Sequence, residues 1–335
     1  MNHTVSPDPE RPVGDVELCI VSPCYNEERN VEPFHDAVAA ALSDTGVTWN
    51  FLFVDDGSKD RTAEILAALR RRDPRVGYIR LTRNFGLQSA LAAGLQHATG
   101  RAVVVMDADL QDDPAALPRF VEEWRRGADV VYAVRSKRKE GVLKRALFKA
   151  FYWTMTLLAE IPIPREAGSF ALYDRRVVDR INALPERNRY LPGLRAWVGF
   201  RQVPVAVPRH ERHAGEPAQS MLRLFALAFD GVFAFSKAPL RLASILGLTV
   251  TALSLIALTV VLYWRFVERS FPSGVGLATI ALALLFLGGV QLLVTGIIGE
   301  YLGRVYDEVK HRPNFLVMES CPPAAEPVST DAART

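Results

Sequence analysis

Three short runs carry the residues best able to do chemistry. Pro23-Cys24-Tyr25-Asn26-Glu27-Glu28, Asp55-Asp56-Gly57-Ser58 and Asp107-Ala108-Asp109-Leu110-Gln111 each follow an apolar stretch. Each supplies carboxylates, and carboxylates gathered in one place repel one another unless a cation joins them. Hard oxygen ligands select Mg2+ or Mn2+, which keep several waters and bridge one or two carboxylates to a diphosphate. No glycine-rich phosphate loop follows the first apolar run, which argues against a dinucleotide site or a P-loop. A metal-held diphosphate at Asp107 and Asp109 is the economical reading.

The elements around these runs must bring them together. Strands are predicted at Glu17–Ser22, Trp49–Asp55, Val76–Leu81, Arg101–Asp107 and Val130–Val134. Helices are predicted between them at Val31–Leu42, Arg61–Arg71, Leu87–Ala98 and Ala115–Arg126. Ser58 is the expected cap before the second helix, and Pro114 suits the first turn of the fourth. Strands alternating with helices at this spacing imply a mostly parallel sheet with helices on both faces. All carboxyl ends of such a sheet share one edge, and ligands bind there where the strand order reverses. With the order 3-2-1-4, Tyr25, Glu27, Asp55, Asp107 and Asp109 converge on that edge.

The rest of the chain has a different character. It has 335 residues with 49% hydrophobic content and a net charge of +3, which gives no pointer to nucleic acid. Cys19, Cys24 and Cys321 have neither disulfide nor zinc spacing. After Lys237 the sequence is mainly apolar. Leu242–Trp264 and Val275–Ile298 are each long enough to cross a bilayer, which takes about 20 helical residues. The two are expected to form a transmembrane hairpin within 240–303. Arg223, Lys237 and Arg241 precede it and Arg304, Lys310 and Arg312 follow it, against Arg265 and Arg269 in the connection. That bias places both termini in the cytoplasm. Gly141–Glu160 mixes Lys144, Arg145 and Lys149 with Leu and aromatic residues and reads as an interfacial helix. The stretch 218–239 reads as a juxtamembrane amphipathic helix, with packing against the soluble domain as the alternative. The basic run from Arg135 to Lys139 suits an anionic surface. Residues 1–15, and the tail after Glu319, are expected to be disordered. The first has no apolar run of the kind a secretory signal carries.

These motifs resemble glycosyltransferase family 2. The resemblance rests on Val21 to Glu28, Val54 to Thr62, Asn84-Phe85-Gly86 and Asp107 to Pro114. Gly299 to Pro313 is similar to the bacterial polyprenyl-phosphate glycosyltransferases within that family, relatives of dolichol-phosphate mannose synthase with two added spans. The resemblance implies a GT-A (Rossmann-like) domain over 16–217, then interfacial helices, a two-helix hairpin and a cytoplasmic tail over 304–335. It implies transfer from a nucleotide diphosphate-sugar, UDP-linked in preference to GDP-linked, to undecaprenyl or another polyprenyl phosphate. The enzyme would sit in the bacterial inner membrane, with homo-oligomers, tetramers included, among the relatives. Pro23, Tyr25, Glu27, Asp55 and Asp56 would bind the nucleotide part. Asp107, Asp109 and Gln111 would be catalytic, the two aspartates holding Mg2+ or Mn2+ and Gln111 lying near the donor sugar. Arg135, Arg138, Arg209 and Arg212 would take the acceptor phosphate.

Two departures accompany the resemblance. Gly168-Ser169-Phe170-Ala171 stands where the subgroup often has Gly-Asp-Phe-Arg, so an aspartate discussed as a base is replaced by serine, unless Glu166 takes its part. The run after Arg209 and Arg212 reads Gly215-Glu216-Pro217-Ala218-Gln219-Ser220-Met221, without the usual Lys-Tyr pair. A phosphate monoester, with a second pKa of about 6, is mostly a dianion at neutral pH and already a nucleophile. Loss of a base is tolerable on that chemistry. Two other readings are a processive polysaccharide synthase, to which only Arg195-Ala196-Trp197 bears a faint likeness, and a non-enzymatic membrane scaffold.

Overall fold

The computed structural model describes residues 16–135, 167–187, 189–208, 238–263, 266–267 and 277–323. The chain forms two units: Met1–Phe148 with Ile161–Ala218 and Pro313–Thr335, and Lys149–Glu160 with Gln219–Arg312. The expected tail 1–15 and the expected interfacial stretches 141–160 and 218–237 lie outside the described residues.

In the first unit the elements run β1 (Leu18–Cys24), α1 (Val31–Leu42), β2 (Trp49–Asp55), α2 (Thr62–Arg72), β3 (Val76–Leu81), α3 (Leu87–His97) and β4 (Ala102–Val105). They continue with α4 (Leu117–Arg125), β5 (Val130–Arg135), β6 (Ala167–Asp174), α5 (Arg175–Ala183), α6 (Leu191–Trp197), β7 (Gln202–Val207) and, near the C-terminus, β8 (Val317–Cys321). One sheet holds all eight strands in the order β7-β5-β6-β4-β1-β2-β3-β8. The order 3-2-1-4 is thus present at its centre, with parallel pairing throughout. β6 and β8 run antiparallel to their neighbours, so the sheet is mostly parallel.

Side-chain alternation divides the core between the two faces of the sheet. Leu18, Ile20, Phe51, Phe53 and Val104 pack under α1, α2 and α4, through Phe34, Leu66 and Phe120. Cys19, Val21, Leu52, Val54, Val103 and Val105 pack under α3, α5 and α6, through Leu91, Val177 and Leu194. Every residue of β1 and β2 is buried, as strands covered on both faces require. Phe51 stacks on Phe53 at 5.0 Å between ring centres. Burying a phenylalanine contributes about 2–3 kcal/mol, so this pair anchors β2 firmly.

The structure corrects several sequence expectations. Ser58 does not cap α2. Asp60 accepts from the Thr62 N–H at 3.0 Å instead, while Ser58 Oγ accepts from the Asn26 N–H at 2.9 Å. β1 runs on to Cys24, and β4 stops at Val105, so Asp107 stands past the strand. The expected fourth helix is split. Pro114–Ala116 forms a 3-10 turn capped by Asp113, and α4 begins only at Leu117. Ser320 and Cys321, expected in a disordered tail, belong to β8. That strand is held by its ladder to β3 and by the Tyr78 hydroxyl donating to Glu319 at 2.7 Å.

At the edge opposite the acidic runs, His35 lies buried between two carboxylates. Its Nδ1 is 2.9 Å from Asp36 and its Nε2 is 3.1 Å from Asp73. Arg75 reaches Asp73 at 2.7 Å. Burial opposes charge on Asp73, yet the hydrogen bonds from His35 and Arg75 outweigh it and hold the carboxyl below its ordinary range. A depressed folded pKa stabilises above the unfolded value, near pH 4, and that contribution is lost as pH falls toward the folded pKa. Asp73→Asn is therefore expected to cost about 2 kcal/mol at neutral pH, and less at pH 3. Urea melts of both proteins at the two pH values check this.

The second unit shows two long helices, α7 (Ala238–Tyr263) and α8 (Leu277–Val309). At 1.5 Å per residue, α8 is about 50 Å long. It continues past the expected end at Ile298. Arg304 pairs with Glu300 one turn earlier at 3.0 Å, and the helix ends short of His311, which has a φ of 48°, and Pro313. Within it, Ala283–Val309 has the length and apolarity to cross a membrane, and in α7 the apolar section is Ala243–Ala257. Leu248, Leu285 and Leu292 are each more than 70% exposed. The hydroxyls of Ser244, Thr249, Thr251, Ser254, Thr259 and Thr295 all donate to the carbonyl four residues earlier. Polar groups closed within their own helix are what a hydrocarbon surrounding demands.

Candidate active site

The acidic runs meet at the carboxyl edge of β2, β1 and β4. Register places Asp55 opposite Cys24, and Val105, two residues before Asp107, opposite Val21. Asp55 and Asp107 thus flank the end of β1 from either side. Two strand spacings of about 4.8 Å set their backbones roughly 10 Å apart, a gap suited to a nucleotide spanning β1.

The β1 and β2 turns are bonded to each other. The Asp56 N–H donates to the Cys24 carbonyl at 2.9 Å, and the Lys59 N–H to Asn26 Oδ1 at 2.8 Å. The Glu27 N–H donates to Thr62 Oγ1 at 2.9 Å, and the Glu28 N–H to Asp60 at 3.2 Å. Asn26 takes a left-handed φ of 56° to make the turn. Glu27 accepts from the Asn30 amide, and Tyr25 stays 39% exposed at the rim, its ring available for stacking. Ser58, Asp60 and Thr62, part of the Val54 to Thr62 motif but given no role at the site from sequence, thus join its turns.

Asp55 and Asp56 have separate tasks. Asp55 is fully buried; its Oδ1 accepts from the Ser58 N–H at 2.8 Å, and its Oδ2 lies 3.4 Å from Arg80 Nε. Asp56 accepts from the Phe85 N–H at 2.7 Å with one oxygen and the Gly86 N–H at 2.9 Å with the other. Burial raises its pKa, partly offset by those two N–H groups, with Asp55 raising it further. Both oxygens of Asp56 therefore tie down the Asn84-Phe85-Gly86 loop. Gly57 lies against the same loop with a φ of 69°. A Cβ there would come within 2.5 Å of the Arg83 backbone, so only glycine fits.

Asp107 and Asp109 stand just past β4, with Leu110 at a left-handed φ of 57° in the turn between Asp109 and Gln111. Asp109 is 9% exposed and accepts from the Gln111 N–H at 3.1 Å. Two hard carboxylates on one short turn fit Mg2+ or Mn2+ chemistry, in which phosphate and water supply the remaining ligands. Among the described residues no group of three or more His, Cys, Asp or Glu side chains gathers as a closed metal cage. Cys24, although in the acidic rim, is no ligand. Burial first, then the nearby charges of Asp55 and Glu27, push its thiol well up, and it donates to the Val54 carbonyl.

The family model for glycosyl transferase family 2 matches residues 19–181. An uncharacterized glycosyltransferase of Synechocystis, sll0501, is 42% identical over 91% of this chain and 95% of its own. A bactoprenol glucosyl transferase of Shigella phage SfII is 38% identical over 91% of this chain and 98% of its own. The chain belongs to glycosyltransferase family 2. Among solved structures, the mannosyltransferase PcManGT of Pyrobaculum calidifontis, in complex with GDP-Man and Mn2+, aligns at 18% identity and a TM-score of 0.45. That alignment covers 86% of this chain and 90% of the other.

Within this transferase, Pro23, Tyr25, Glu27, Asp55, Asp107, Asp109 and Gln111 all lie at the expected edge or in its turns. Arg135 ends β5 at the same edge, paired with Val207 of β7. Arg138, Arg209 and Arg212 lie outside the described residues. Arg80 was not singled out by sequence. Its position at the same register as Asp55 follows from the β2–β3 pairing alone.

Proposed function

We propose that this transferase moves a sugar from a nucleotide diphosphate-sugar to a polyprenyl phosphate, with inversion, at the cytoplasmic face of a bacterial inner membrane. The observation that carries the reading is the acidic rim across β2, β1 and β4 in a chain alignable almost end to end with bactoprenol glucosyl transferases. The apolar helices support membrane attachment. Two spans, α7 and α8, would leave both termini on the side carrying the positive charge, the cytoplasm.

In this reading Tyr25 stacks on the base and Asp55 hydrogen-bonds it. Asp55 Oδ1 is already engaged by Ser58, which leaves one carboxylate oxygen beside the Arg80 guanidinium. One acceptor next to one donor suits uracil, whose imide N–H is flanked by carbonyls. Guanine pairs with a carboxylate through two N–H groups, one to each oxygen, and would have to share Oδ1 with the Ser58 N–H. UDP is the favoured donor nucleotide on that ground. Glu27 and Pro23 bound the ribose, and Gln111 lies toward the sugar.

Asp107 and Asp109 would hold Mg2+ or Mn2+. When bound, that ion supplies charge to offset the departing diphosphate. An oxygen of the acceptor phosphate forms the new bond to the anomeric carbon as the bond from that carbon to the diphosphate breaks. The acceptor is a dianion, so no proton has to be removed, and Ser169 is compatible with the step. Arg135, Arg138, Arg209 and Arg212 are the proposed acceptor-phosphate contacts, guanidinium forks being suited to phosphate.

The test uses membranes containing the full chain, undecaprenyl phosphate, Mn2+ and labelled UDP- or GDP-sugars. A labelled lipid that releases its sugar on mild acid is the expected product, from a UDP-sugar. No labelled lipid from any common nucleotide-sugar would sink the reading.

A further inference from the structure

Arg195, on α6, is fully buried, and its guanidinium carbon sits 4.3 Å from the centre of the Tyr132 ring. Among the described residues, none gives Nε, Nη1 or Nη2 a hydrogen-bond partner. The buried Tyr173 hydroxyl stands beside the guanidinium, just outside full hydrogen-bond geometry but close enough to feel its charge. A guanidinium keeps its proton in proteins, and a charge taken out of water without an anion costs several kcal/mol. A tyrosine face returns only part of that.

The register shows where this cation lies. Tyr132 on β5 is paired with Ala171 on β6, which is paired with Val105 on β4. From that row, Asp107 beyond β4 and Ser169 on β6 are each two residues nearer the carboxyl edge. Val105 and Ala171 face α6, so alternation turns Ser169 to the same side of the sheet, and Asp107 stands just past the end of β4 beside it. α6 begins at that edge, where the Leu191 N–H donates to Gln88 in the first turn of α3. Helical side chains lean toward the N-terminus of their helix, which directs Arg195 toward the edge. The residues between it and the rim on β6 are small: Gly168, Ser169 and Ala171.

We propose that Arg195 is the inner anchor of a phosphate site that opens at the carboxyl edge between β4 and β6. A phosphate group of one substrate supplies the anion that the folded protein withholds from this guanidinium. The inference rests on the transfer reaction proposed above. The phosphate comes either from the lipid monophosphate or from the donor diphosphate.

The experiment compares full-length wild type with Arg195→Met and Arg195→Lys in detergent. Melting temperature is read without ligand and with UDP plus Mn2+ or inorganic phosphate. Transfer kinetics are read against each substrate. Met keeps the length and removes the charge, so R195M is expected to melt at or slightly above wild type. It should nonetheless lose at least about 30-fold in kcat/KM, a loss of about 2 kcal/mol, and R195K should recover part of it. A raised KM for polyprenyl phosphate with unchanged UDP protection assigns the site to the lipid phosphate. Lost UDP protection assigns it to the donor. Wild-type kinetics in R195M overturn the proposal. So does a lower melting temperature in R195M, which makes Arg195 a packing residue, and so does ligand protection identical in all three proteins if no transfer is seen. An inactive wild type defeats the transfer reading, whereas an active wild type matched by R195M defeats this inference alone.

Discussion

Asp109→Asn is expected to lower sugar transfer by about 10³-fold while leaving the fold intact. Asn keeps the shape and the oxygen that accepts the Gln111 N–H, so the Leu110 turn is retained. What disappears is the negative charge that holds a divalent ion against the leaving diphosphate. That charge matters most as the bond breaks, so the loss falls mainly on kcat. The melting temperature without ligand is expected to stay within about 2 °C of wild type, since an almost buried acid loses only its charge. Steady-state kinetics and a thermal melt on the same preparation check both halves.

Asp56→Ala is expected to act through a different route. It leaves the Phe85 and Gly86 N–H groups, both partly buried, without their acceptor. Each such orphan costs about 1–3 kcal/mol, so a total near 4 kcal/mol is expected in a chemical melt. The Asn84-Phe85-Gly86 loop then loses its tie to the β2 turn beside Asp55. The donor KM should rise by at least about tenfold, while the surviving folded fraction keeps much of its kcat. A kcat loss as deep as that of Asp109→Asn, without loss of stability, would show Asp56 touching the reacting groups instead.

Local pattern was enough for the centre of the sheet. Residues 17–107 alternate apolar runs with helical periodicity, and β1 to β4 follow with ends displaced by one or two residues. The carboxyl edge and its acids were legible for the same reason, because each motif sits where a strand must stop. Long-range pairing was not legible. β6 and β7 depend on partners distant in sequence, and β8 is a mostly exposed five-residue strand paired with β3 more than 200 residues earlier. Ser58 looked like a helix cap because its local context suits one, yet its hydroxyl serves Asn26 across the site. The bonds that tie Asp56 to the loop after β3 were not legible either, because they join turns 29 and 30 residues apart. Arg195 carried no local sign of burial. Only the packing of α6 on β5 and β6 shows that a charge has been taken out of water there.

Asp107 and Asp109 are proposed to grip a donor diphosphate through a divalent ion. Calorimetric titration of UDP into purified wild type and Asp109→Asn, each with Mn2+ and then with excess EDTA, addresses it without needing the acceptor. Saturable binding by wild type in Mn2+ alone, lost in EDTA and in the variant, is the predicted result. Equal UDP affinity in all four titrations would contradict it.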